Sequence, residues 1–86
     1  MNARLTEPML SALRQVAEIP DNLLARVNAA RRDGGGYLMA LNDDEAMAMT
    51  EMCQWYIRND PTTGQLGEQA KLFQAIVNAI YEAEGT

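Results

Sequence analysis

The sequence predicts an all-α domain: a small four-helix bundle-like domain with a central antiparallel helix hairpin over about 43–59 and 65–83. Three observations predict it. The apolar set holds thirteen Ala, nine Leu and six Met against four Ile and three Val, and the first three favour helices where β-branched residues favour strands. Apolar residues recur at helical spacing in four stretches. Those stretches are separated by Pro20, by Gly34-Gly35-Gly36 and by the turn-rich run Asn59 to Gly64. Eighty-six residues allow one modest core, so residues 1–86 are read as a single helical domain.

The first helix is predicted from Thr6, a good N-cap with Glu7 and Pro8 suited to the first turn, up to Pro20. Leu5, Met9, Leu13 and Val16 form its apolar stripe. The second runs from Pro20 or Asp21 to Arg32, with Leu23, Leu24, Val27 and Ala30 inward, and with Arg31 and Arg32 suiting its C-terminal dipole. Asp33 and Gly34 stop it. The triple glycine is a joint, better suited to a hinge than to a phosphate loop, because no helix N-terminus follows it directly.

Tyr37 to Leu41 is a short apolar run with three readings: a strand carrying Tyr37, Met39 and Leu41 on one face, an ordered linker, or the lead-in to the third helix. A lone strand has no evident partner in this chain, so a strand here implies the same strand from a second copy.

Asn42 caps the third helix, and Asp43, Asp44 and Glu45 fill its first turn. Its apolar arc is centred on Ala46, Met49, Cys53, Tyr56 and Ile57 and flanked by Ala48, Met52 and Trp55. The fourth helix carries Leu66, Ala70, Phe73, Ile76, Val77, Ile80 and Tyr81 on one face. Each arc spans roughly 200°, about twice what a core-facing stripe needs. Two short N-terminal helices leave part of such a surface uncovered, and uncovered apolar surface marks an interface.

Lys+Arg is 7 and Asp+Glu 12, a net charge of −5 that lies wholly in residues 44–86. It argues against bulk capture of nucleic acid or anionic membrane. No apolar run approaches the ~20 residues of a membrane-spanning helix, the first residues do not read as a signal peptide, and one cysteine cannot close an internal disulfide. The expected place of action is the cytoplasm.

Candidate chemistry is sparse. With no histidine, Cys53 has no base and reads as a small buried hydrophobe. Asn42 to Glu45 carries three carboxylates, but helix capping accounts for the whole run without a metal. Asn59 to Ala70 matches a calcium loop only at Gly64 and Leu66; Pro61 and Ala70 stand where ligands belong. A carrier domain needs a serine at a helix start to hold its prosthetic arm, and the one serine, Ser11, falls mid-helix.

No catalytic, cofactor-binding or metal-binding residue is therefore assigned, and no cofactor. The expected role is a non-enzymatic protein–protein interaction or structural module acting as a homo-oligomer, its partner itself or another protein. The candidate interface residues are Met39, Met49, Met52, Trp55, Tyr56, Phe73 and Tyr81. The alternative is a nucleic-acid-associated regulator whose N-terminal helix pair resembles a helix-turn-helix in outline, using Arg26, Arg31 and Arg32.

Overall fold

A computed structural model describes residues 1–58 and 67–85. The element order is β1 (Asn2–Leu5), α1 (Glu7–Arg14), α2 (Asp21–Asn28), β2 (Arg31–Asp33), β3 (Gly36–Ala40), α3 (Asp43–Arg58) and α4 (Glu68–Glu84). The all-α expectation is thus overturned: the helices are joined by a three-stranded antiparallel sheet of order β1-β3-β2. The predicted loop at 59–64, the predicted start of the last helix at 65–66, and positions 59–66 of the calcium-loop comparison lie outside the described residues.

The sheet accounts for each departure from the expected helices. Residues 37–41 do contain a strand, and its partners lie in the same chain. Ala3 stands opposite Met39 and Leu5 opposite Tyr37 on one side, and Arg32 stands opposite Tyr37 on the other. The Met1 nitrogen donates to the Leu41 carbonyl and the Leu41 N–H to the Met1 carbonyl, both at 2.9 Å, which extends the β1–β3 ladder. No second copy is needed to complete this sheet.

The triple glycine is a hairpin turn and not a hinge. Asp33 pairs with Gly36 across Gly34-Gly35, and Gly34 takes φ +61°, as the first central residue of a two-residue primed turn requires. The second helix consequently ends at Asn28 rather than Arg32, because Arg31 to Asp33 form hydrogen bonds with β3. The first helix ends at Arg14, well before Pro20; the Gln15 and Val16 N–H groups close its last turn on the Ser11, Ala12 and Leu13 carbonyls. Its start is as predicted, with the Thr6 hydroxyl accepting from the Met9 N–H at 3.4 Å.

The alternation of the strands decides which face is covered. Ala3, Leu5, Met39 and Leu41 are buried on the face against which α1, α2 and α4 pack. Asn2, Arg4, Arg31, Asp33 and Ala40 are exposed on the other, where Arg4 and Asp33 pair at 2.9 Å across β3. That ion pair is open to water and contributes no more than about 1 kcal/mol.

α3 and α4 form the antiparallel hairpin that the sequence predicts: Tyr56 stacks on Phe73 near one end, and Asp43 and Met47 line one cleft with Tyr81 and Glu84 near the other. Ala46, Met49 and Cys53 of α3 join Phe73, Ile76, Val77 and Ile80 of α4, Leu10 and Leu13 of α1, and Leu23 and Val27 of α2 in one core. The N-terminal strand, packed against α4, covers apolar surface that two short helices alone would leave bare.

Candidate functional site

Among the described residues, three large apolar side chains stay more than half exposed: Met47 (63%), Trp55 (53%) and Tyr81 (51%). Two lie on the outer face of α3 and the third beside it on α4. Two clefts flank that face, with Glu51 lining both. A cleft of about 540 Å³ is bounded by Met47, Thr50, Tyr81 and Ala83 with Asp43 and Glu84 at its rim. One of about 380 Å³ is bounded by Val16, Ala48, Met52, Trp55 and Tyr56 with Glu18.

Trp55 is held in place from below. Its ring meets Tyr56 edge-on, with centroids 5.0 Å apart, and Tyr56 stacks on the buried Phe73 at 5.1 Å. Such aromatic pairs contribute roughly 0.5–1.5 kcal/mol beyond their buried area. An exposed tryptophan ordered in this way has already lost much of the freedom that binding would otherwise remove.

The predicted interface residues divide three ways. Met39, Met49 and Phe73 are taken up by the chain's own core. Met52 and Tyr56 are half-buried at the wall of the smaller cleft. Trp55 and Tyr81 present at least half their surface to solvent. Met47 belongs with them, yet the helical period places it on the polar side of α3, beside Thr50, Glu51 and Gln54. Only the packing of α4 against α3 reveals it, since Met47 and Tyr81 line one cleft and the Tyr81 hydroxyl accepts from the Gln54 amide at 3.4 Å.

The three arginines of the nucleic-acid reading do not all lie on one side of the sheet. Arg26 on α2 donates its Nε–H to both carboxylate oxygens of Glu45, at 2.9 and 3.1 Å. Arg31 and Arg32 are consecutive on a strand, so they point to opposite sides of the sheet. No recognition helix carrying all three exists, because α2 ends at Asn28.

The acidic run at the start of α3 is built as a cap. The Asn42 side-chain oxygen accepts from the Glu45 N–H at 2.7 Å, and Glu45 in return accepts from the Asn42 N–H at 2.9 Å, the reciprocal arrangement of a capping box. Glu45 is buried, and its carboxylate also receives Arg26, which fixes α2 to the start of α3. The Asn42 N–H and then the Arg26 guanidinium hold the carboxyl below its ordinary value of 4.5, outweighing the opposing effect of burial. A group depressed in the folded state stabilises above its unfolded pKa, and that stability is lost as pH falls through the folded value. Glu45→Gln should therefore flatten the decline in stability below pH 4.5, read from urea unfolding at a series of pH values. An unchanged acid limb would show that the Glu45 carboxylate does not couple folding to pH.

Cys53 is fully buried, and burial pushes its thiol up to about 12. At neutral pH it is an unreactive thiol. Among the described residues no group of three Cys, Asp or Glu side chains is placed to hold a metal ion, and no helix is long and apolar enough to cross a membrane. No family model matches the chain, and no curated protein or solved structure matches it significantly.

Proposed function

We propose that this chain is a non-enzymatic interaction module that works by self-association through the outer face of α3. One observation carries this reading: Met47 and Trp55 stand exposed on a helix whose other side is fully engaged in the core, and Trp55 is pre-ordered by Tyr56 and Phe73. Exposed aromatic and methionine side chains lose unfavourable hydration when a partner covers them. Tryptophan is also among the residues that dominate binding energies.

The chemistry of the chain supports a role without catalysis. It has no histidine, and its one thiol is buried and held protonated. A cytoplasmic setting suits a lone reduced cysteine. The partner we assign is a second copy, because the outer face of α3 carries its own complement: the exposed Met47 and Trp55, with Ala48 between them, and opposite charges at its two ends in Asp44 and Arg58.

Sedimentation equilibrium across the micromolar range tests the reading directly. The expected result is a concentration-dependent mass rising from 9.5 kDa toward twice that value. A mass that stays at the monomer value throughout would overturn it.

A further inference from the structure

The exposed residues of α3 include a seam with a definite charge order. Asp44, Ala48, Glu51, Trp55 and Arg58 are spaced 4, 3, 4 and 3, the average of about 3.5 residues that keeps a row of side chains on one line of a helix facing a partner. Asp44, Glu51, Trp55 and Arg58 are exposed, and Ala48 is half-buried. From Asp44 to Arg58 the seam is about 21 Å long, at a rise of about 1.5 Å per residue. It begins on a carboxylate, ends on a guanidinium, and carries its one large aromatic near one end and its smallest side chain near the other.

Resting on the self-association proposed above, we infer that two copies pair their α3 helices antiparallel, about a two-fold axis at Glu51. Reversal about that residue sets Asp44 level with Arg58 of the partner subunit, and the symmetry repeats the pair at the other end. Trp55 falls level with the partner's Met47 and the partner's Ala48, a large ring over a gap beside a small residue. The smaller cleft, walled by Met52 and Val16, receives the ring's edge. A two-fold interface is self-complementary in this sense, with residue i meeting residue j and j meeting i.

Charge selects this orientation. A parallel pair would place Asp44 on Asp44 and Arg58 on Arg58, two like-charge contacts in place of two unlike ones. The antiparallel pair has one opposing feature, the two Glu51 carboxylates that approach at the axis. They weaken the dimer without changing its register, so Glu51→Gln should tighten it.

The test is charge exchange, read by sedimentation equilibrium with far-ultraviolet circular dichroism as the folding control. Asp44→Arg and Arg58→Asp should each raise the dimer dissociation constant at least ~10-fold, since each change installs two like-charge contacts. The double variant should return it to within ~3-fold of the original. Both changes set charge against the α3 dipole, so a merely structural role for the two residues makes the double variant the worst of the three, whereas pairing makes it the best. A dimer indifferent to Asp44 and Arg58, or a double variant no better than the weaker single one, overturns the antiparallel pairing and leaves self-association standing. A parent protein that is monomeric throughout overturns both.

Discussion

Replacing Gly36 with alanine is expected to destabilise the fold by about 2 kcal/mol, because an added methyl in a filled space forces backbone to move. A Cβ at this position would stand 2.7 Å from the Leu5 carbonyl oxygen. That atom is backbone, in the strand paired with β3, so it cannot swing aside as a side-chain tip would. Relief requires β1 to slide or lift from β3, and β1 carries Ala3 and Leu5 into the core. For a domain of this length, 2 kcal/mol lowers the melting temperature by about 8–16 °C. It removes a large part of a total stability that amounts to roughly 4–13 kcal/mol at this size.

Two neighbouring glycines supply the controls. A Cβ at Gly35 meets nothing within 4 Å, so Gly35→Ala should be close to neutral. Gly34 also has open space around it but sits at φ +61°, where an L side chain costs roughly 1–2 kcal/mol. The order Gly36, Gly34, Gly35 in thermal melts is the expected outcome. A Gly36→Ala variant that melts with the parent would mean that β1 does not pair with β3 as described.

The same three glycines show what was legible in the sequence and what was not. The helical half announces itself: Asn42 and the acids after it mark the start of α3, and the arcs of α3 and α4 name the residues that meet in the core. Their signals are local and long, many residues repeating one period. The strands offer neither length nor period. β1 is four residues of simple alternation, and β2 is Arg-Arg-Asp, with no apolar residue. β2 exists because Gly34-Gly35 turns the chain back on Tyr37, and β1 because the start of the chain returns to β3 more than thirty residues along. Ala29 to Arg32 are good helix formers, and local propensity yields there to backbone pairing. The one local clue was a Gly-Gly pair next to an apolar run, a hairpin signal that the adjoining Arg-Arg obscured by resembling a helix end. Among the candidate interface residues the period identifies apolar side chains and leaves open what covers them. Met39 and Trp55 look alike in that respect and differ only once the sheet is in place.

That difference leads to a paired expectation. Met39 lies in the central strand with no exposed surface, and its truncation to alanine should cost about 2–5 kcal/mol, the transfer free energy of the lost atoms plus a cavity term. Trp55 is 53% exposed, so Trp55→Ala should cost the fold less, about 1–2 kcal/mol, through the buried part of the ring and its edge contact with Tyr56. The effects on association should run the other way. Trp55→Ala removes the anchor of the proposed interface and should leave a folded monomer. Met39→Ala should melt early yet, well below its transition, still self-associate, since β3 is completed inside one chain. Urea unfolding and sedimentation on the same two proteins separate the roles. A Met39 variant that stays stable and loses association would return β3 to the interface between copies. A Trp55 variant that stays dimeric would remove the outer face of α3 from it.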